Sequence, residues 1–255
     1  YMTDGNVSGD NFRVNVLTTN NQSFPAVAGR KIAGSTEYAI VWSDNSDGTT
    51  NYDIYMQIYK NNSPLLAYDL LINNAIQSAD SSRNNDQLYP KVAGLSNGNY
   101  VVVWASDDAD DGEMNIYGKI IDNNGNLVSS KLSINSTTTR SQNFPVVVGL
   151  DEDDPNVPGG FVVAFLTELS TNNNNFVVKF RVFNANGTAY GSEVSVTTTS
   201  DASVSSISDG LLSIDSLDNG GFVLSFYRNY EADTSLYNQS DNIIGATSST
   251  TSVIS

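Results

Sequence analysis

One five-residue pattern recurs four times and limits the fold more than any other feature of this chain. Tyr38-Ala-Ile-Val-Trp42, Tyr100-Val-Val-Val-Trp104, Phe161-Val-Val-Ala-Phe165 and Phe222-Val-Leu-Ser-Phe226 share one plan, an aliphatic run between two aromatics. They begin at 38, 100, 161 and 222, so the spacings are 62, 61 and 61 residues. A short β-branched run of this kind predicts a strand buried on both faces. Its fixed period predicts one supersecondary unit repeated in tandem, each burying its apolar faces against the next.

The flanking residues fill in the unit. A first strand precedes each pattern: Phe24-Pro-Ala-Val-Ala-Gly29, Tyr89-Pro-Lys-Val-Ala-Gly94 and Phe144-Pro-Val-Val-Val-Gly149. In the fourth copy Leu211-Leu-Ser-Ile-Asp-Ser216 takes this place, with Leu212 where proline stood. Proline has no backbone donor, so it is expected at the first residue of its strand. Gly98 and Gly220 predict tight turns into the aromatic strand. A polar loop then leads to a third strand over 52–59, 115–121 and 176–183. Turns at Gly125 and Gly187 lead to a fourth over 70–73, 132–135 and 194–197.

The expected fold is therefore all-β: four repeats of about 61 residues, each a four-stranded antiparallel meander, in a β-propeller-like array. The divisions are a half-repeat over 1–20, repeats over 21–76, 77–138 and 139–200, and a degenerate repeat over 201–255. Tyr1-Met-Thr-Asp-Gly5 matches the end of a third strand and its glycine turn, and Phe12-Arg-Val-Asn15 matches a fourth strand. Two uses of that half-repeat are open. It closes the last blade as a clasp, or it is donated to a neighbouring copy by strand exchange. No charged-then-apolar leader opens the chain, so the expectation is a removed signal or a longer parent polypeptide.

The combined pattern is Gln-x-x-Pro, Gly-x-Phe/Tyr-Val-Val-x-Trp, Ile-Tyr-Gly, a glycine turn and Phe-x-Val-Asn. It resembles the tandem β-propeller-like repeats of large secreted or surface proteins in bacteria and ciliates. The copy with Gln87, Tyr89-Pro90, Trp104, Tyr117-Gly118 and Asn135 matches best. The first copy keeps Pro25, Trp42, Tyr55 and Asn73. The third keeps Gln142, Pro145, Gly187 and Gly191-Ser-Glu193, with Phe165 for the tryptophan, and the fourth has lost most of the motif. The resemblance implies fold and an extracellular location, and it carries over no catalytic residue.

Composition narrows the chemistry. With no histidine and no cysteine, the usual triads, thiolate metal sites and disulfides are excluded. A net charge of -16 argues against nucleic acid as a partner. No apolar run is long enough to span a membrane. Acidic loops follow two aromatic strands, with Asp44 and Asp47 in one and Asp107, Asp108, Asp110, Asp111 and Glu113 in the other. Clustered carboxylates next to a glycine can ligate a hard cation, so calcium is the one cofactor these loops suggest, though none is required. Asn-x-Ser/Thr sequons stand at Asn6, Asn21, Asn61, Asn135, Asn186 and Asn238, as candidate glycan acceptors. Trp42 and Trp104 end the most apolar strands and are expected in the core rather than on a sugar.

These features lead to a non-catalytic extracellular structural or adhesive repeat protein, a surface-filament protomer among its forms, with itself or glycans as partners. The alternatives are a calcium- or carbohydrate-binding propeller module and, third, a carboxylate-dependent glycosidase. No spacing among the 28 acids singles out a catalytic pair.

Overall fold

The computed structural model describes residues 10–32, 35–45, 51–73, 86–107, 113–150, 159–169, 176–196, 212–217, 220–228, 231–237 and 243–247. Over these residues the chain is all β, without a helix, and forms four antiparallel sheets. The first sheet holds β1 (Gln22–Ile32), β2 (Ser35–Asp44), β3 (Asp53–Lys60), β4 (Ser63–Pro64) and β5 (Leu70–Leu71). The second holds β6 (Gln87–Gly94), β7 (Tyr100–Ser106), β8 (Asn115–Ile121) and β9 (Leu132–Ser133). The third holds β10 (Gln142–Gly149), β11 (Gly160–Glu168), β12 (Phe176–Asn184) and β13 (Val194–Ser195). The fourth holds β14 (Leu212–Ser216), β15 (Phe222–Arg228), β16 (Glu231–Tyr237) and β17 (Ile243–Thr247).

Each sheet is a meander in chain order, as the repeat predicts, with β4 inserted in the first so that β5 also pairs β3. The hairpin turns close on Gly98, Gly125, Gly187 and Gly220. All four sit at positive φ, a conformation that side chains with a Cβ seldom adopt.

The prolines depart from expectation. Pro25, Pro90 and Pro145 lie inside β1, β6 and β10, three residues past the strand start. The register with the second strand shifts at each, between Ser23 and Ala26, Leu88 and Lys91, and Asn143 and Val146. A bulge takes the aromatic–proline pair out of the ladder, so the missing N–H leaves no partner unmatched. The preceding aromatics, Phe24, Tyr89 and Phe144, take positive φ of 54°, 56° and 53°. A strained conformation repeated three times in non-glycine residues must be held by its surroundings. Here the rings hold each other: Phe24 lies 4.6 Å from Tyr89, and Tyr89 lies 4.4 Å from Phe144, centroid to centroid.

The second strands of the second and third repeats, β7 and β11, are buried on both faces, and β7 shows how. Tyr100, Val102 and Trp104 pack against Ala39, Val41, Met56 and Ile72 of the first sheet. Val101, Val103 and Ala105 pack against Phe161, Val163 and Phe165 of the third. A third core joins Val162, Ala164, Phe180 and Val182 to Leu212, Phe222, Leu224 and Phe226. Three cores thus cement four sheets, each fully buried large apolar side chain contributing about 1.5–3 kcal/mol.

The innermost strands β1, β6, β10 and β14 stand side by side in that order, and among the described residues no comparable packing joins β14 to β1. Glycine positions show the same opening. A Cβ on Gly149 would meet the Gly94 carbonyl oxygen at 2.2 Å, and one on Gly94 the Gly29 oxygen at 3.2 Å, whereas one on Gly29 would meet nothing within 4 Å.

The described part of the half-repeat, residues 10–20, does not complete the fourth sheet, which has β17 of its own. Residues 10–20 form no strand and lie on the first sheet instead. There the Asp69 carboxylate accepts the N–H groups of Val16 and Leu17, and the Phe12 ring rests 5.3 Å from that of Tyr59.

Candidate active site

The two ends of the inner strands differ in chemistry. Where they finish, an axial cavity of about 590 Å³ is lined by Gly29, Arg30, Gly94, Ser96, Gly149 and Ser216. A smaller space of about 180 Å³ farther along is lined by Val27, Lys91, Val147 and Ser213, among others. Backbone edges and two cations dominate, and no described carboxylate lines either space. Arg30 is committed to structure: it pairs with Glu37, donates to the Gly98 carbonyl and lies over the Tyr100 ring. Burial works against the Glu37 charge, yet Lys60 and Arg30 outweigh it and hold that carboxyl below its ordinary value.

The other end, where the inner strands begin and the second strands finish, is polar. Backbone bonds lace adjacent sheets here, Gln87 N–H donating to the Tyr52 carbonyl and Gln142 N–H to that of Met114. The motif residues form a buried network beneath. Trp104 Nε1 donates to Gln87 Oε1 at 2.7 Å. Asn135 Nδ2 donates to Asn115 Oδ1 and Gln142 Oε1, each at 2.8 Å, and its Oδ1 accepts the Ile116 N–H at 2.7 Å. In the first sheet acids take some of these places. Trp42 Nε1 donates to Asp44 Oδ2 at 3.0 Å, and Asn73 Nδ2 donates to Asp53 Oδ1 at 2.7 Å. Asp44 and Asp53 face each other across β2 and β3, 1% and 3% exposed.

More accessible acids lie beside this network. Asp107 and Glu168 occupy the same place in their repeats, at the end of the second strand, and Glu113 precedes β8. All three are half-buried. Ser141 bonds the Glu113 side chain and the Glu168 backbone, linking the second and third sheets. Its hydroxyl donates to Glu113 Oε2 at 2.8 Å, and its carbonyl accepts the Glu168 N–H at 2.9 Å. The half-buried rings of Phe24 and Tyr89 stand at the same end of the inner strands.

Against the sequence expectations, Asp44 is a buried structural acid rather than part of an open loop, because Trp42 and Gln22 draw its oxygens inward. Asp107 and Glu113 flank the second acidic loop, while Asp47, Asp108, Asp110 and Asp111 lie outside the described residues. Among the described residues no three acids gather in a group that could hold a metal ion. Of the sequons, Asn21, Asn61 and Asn186 are exposed, and Asn6 and Asn238 lie outside the described residues. Asn135 is 5% exposed with its amide bonded on every side, so a glycan there would tear the network open. Glu168 and Ser141 were not singled out by sequence. The signal for Glu168 is its place at the end of an aromatic strand, the position of Asp107.

No family model matches the chain, and no curated protein matches it. Solved structures share its fold. An endo-arabinase from Bacteroides thetaiotaomicron is 15% identical, with a TM-score of 0.55 over 96% of this chain and 85% of that one. A structure from the family of mannoside phosphorylases containing glycoside hydrolases that target β-1,2 mannosidic linkages in Candida mannan is 9% identical. Its TM-score is 0.52, over 91% of this chain and 71% of that one. A family 117 glycoside hydrolase produced by the marine bacterium Zobellia galactanivorans is 8% identical, with a TM-score of 0.51 over 93% and 74%. These three neighbours match the four sheets described here over most of the chain. They are glycoside hydrolases, not structural or adhesion proteins, which corrects the expectation of a non-catalytic structural repeat protein and filament protomer. The tandem repeat, the acidic histidine-free composition, the sequons and the unmatched half-repeats behind that expectation do not bar glycoside hydrolysis, which needs only carboxylates.

Proposed function

We propose that this protein is a carboxylate-dependent glycosidase that works on a polysaccharide outside the cell. The observation carrying this reading is the shared fold over 96% of the chain with an enzyme that acts on a glycan. It is supported by half-buried acids at the polar end of the inner strands, Asp107, Glu113 and Glu168. Glycosidic cleavage needs two carboxyl groups. One protonates the departing oxygen, while the other activates water or attacks the anomeric carbon, on an oxocarbenium-like path.

Glu113 and Glu168 suit that work better than Asp44 and Asp53, since a substrate can reach half-buried acids and not ones sealed under Trp42 and Asn73. In this reading Ser141 holds Glu113 by donating to it, and Phe24 and Tyr89 offer ring faces on which a sugar can stack. Reducing-end release from arabinan and from β-1,2-linked mannan tests it. Glu113→Gln and Glu168→Gln should each lower kcat at least about a hundredfold while leaving the far-ultraviolet circular dichroism unchanged. Silence of the unaltered protein on both polymers, or unchanged turnover in both variants, would refute the assignment.

A further inference from the structure

The first sheet has one face against the second sheet and one open side, and on the open side it carries a pocket. This space of about 290 Å³ lies between Arg13, Asn15 and Val16 on one wall and Gln57, Tyr59 and Pro64 on the other. Both walls are fixed. Asp69 accepts the N–H groups of Val16 and Leu17 at 2.9–3.0 Å, and the Gln57 amide donates to the Leu66 and Tyr68 carbonyls at 3.0 and 3.3 Å. A cavity held open in this way loses little conformational freedom when a ligand enters.

Tyr59 carries a group that the fold does not use. It pairs with Tyr38 across β2 and β3, and the two rings stack 5.0 Å apart. In the second and third sheets the same pairing joins Tyr100 to Ile121 and Phe161 to Phe183, so this place asks only for an apolar side chain. Tyr59 is 3% exposed, yet no described residue hydrogen-bonds its hydroxyl. Burial, with Tyr38 and Asp69 adding to it, pushes its pKa above the usual tyrosine value and keeps it a neutral donor. A buried tyrosine hydroxyl ordinarily has a hydrogen-bond partner, and this one belongs to a side chain that lines the pocket. At the rim the Phe12 ring lies 5.3 Å from that of Tyr59 and is 56% exposed. Arg13 beside it is exposed, and among the described residues no acid pairs with it.

We infer that this pocket is a second glycan-binding site, which takes one residue of a neutral polysaccharide. A sugar ring presents an apolar C–H face and a circle of hydroxyls. Phe12 offers a ring for the first, while the Tyr59 hydroxyl and the Arg13 guanidinium answer the second. The net charge of -16, with Asp69 beside the pocket, disfavours an acidic sugar. Tyr59 stands six residues along β3 from Asp53, roughly 20 Å from the polar end of the sheet. The site is therefore separate from the candidate acids and holds the polymer rather than cleaving it. A chain gripped at two places dissociates more slowly than one gripped at either. The ligand class rests on the reading above, but the pocket uses neither Glu113 nor Glu168.

Affinity electrophoresis in native gels carrying arabinan, β-1,2-linked mannan or polygalacturonate reads binding apart from turnover. The parent is the Glu113→Gln/Glu168→Gln double variant, so that no polymer is consumed. It should be retarded by at least one of the two neutral polymers and not by polygalacturonate. Phe12→Ala and Tyr59→Phe, each added to that parent, should raise the dissociation constant at least about fivefold with the far-ultraviolet circular dichroism unchanged. Tyr59→Phe removes only the hydroxyl, and Phe183 shows that the fold accepts phenylalanine in this place. Absence of retardation by both neutral polymers overturns the proposal, as does preference for polygalacturonate or a dissociation constant unchanged by either substitution. Turnover by the native protein with retardation indifferent to the substitutions removes the pocket and leaves the glycosidase. Retardation lost in both variants, without turnover by the native protein, keeps the pocket and removes the catalytic assignment.

Discussion

Trp104→Ala tests the inter-sheet cores most directly. Trp104 is fully buried between the first and second sheets, and its Nε1 donates to Gln87 Oε1 at 2.7 Å. Truncating a buried tryptophan to alanine costs about 3–5 kcal/mol in lost transfer energy and cavity formation. Losing the hydrogen bond adds about 0.5–1.5 kcal/mol. The sum of about 4–6 kcal/mol should lower the urea midpoint by about 2 M, taking a slope near 2–3 kcal/mol/M for a chain of this size. Trp104→Phe keeps most of the packing and loses the donor, so it should recover more than half of the deficit. Trp42 holds the equivalent place but faces the open side of the first sheet, so Trp42→Ala should cost about half as much. Denaturation followed by far-ultraviolet circular dichroism measures all three. A Trp104→Ala cost below about 1 kcal/mol, or equal costs at the two tryptophans, would refute the packing argument.

Glycine, acid and amide positions give further tests. Gly149→Ala forces a Cβ to 2.2 Å from the Gly94 carbonyl and should cost about 1–3 kcal/mol or more, while Gly29→Ala should be near neutral in thermal melts. Asn135→Ala leaves the buried Ile116 N–H without its acceptor and should cost about 2–3 kcal/mol by urea titration. Because the folded state lowers the Glu37 pKa, its stabilising effect is complete above the ordinary value of 4.5 and is lost as pH falls through the folded value. The Tm gap between the native protein and Glu37→Gln should therefore be widest near neutral pH and close in acid. A gap that widens in acid would reverse the sign assigned here.

Much of the architecture was legible because strand periodicity and burial leave direct marks on sequence. Tyr100-Val-Val-Val-Trp104 could only be a strand covered twice, and Gly98, Gly125, Gly187 and Gly220 marked the turns. The bulges were harder. Pro25, Pro90 and Pro145 announced an interruption of the ladder, but its place inside the strand depends on the neighbouring rings, which sequence does not bring together. The motif polar residues Gln87, Asn135 and Gln142 repeat for a packing reason, since each satisfies a buried partner on another strand. The candidate acids were the least legible. Glu113 and Glu168 stand in adjacent repeats, at non-equivalent positions, so no local spacing could have paired them. Phe12-Arg-Val-Asn15 reads as a fourth strand in sequence, whereas the structure gives these residues no strand and lays them on the first sheet.

The alternation along β7 has a kinetic consequence. Val102 and Val103 are adjacent in the chain, yet one contacts the first sheet and the other the third. A truncation at each position reports on a different docking event, with backbone and local propensity nearly the same for both. If the sheets assemble in succession, the two positions will divide their effects differently between refolding and unfolding rates. A pair of neighbouring valines can thus serve as a clock for the order in which the second sheet acquires its two neighbours.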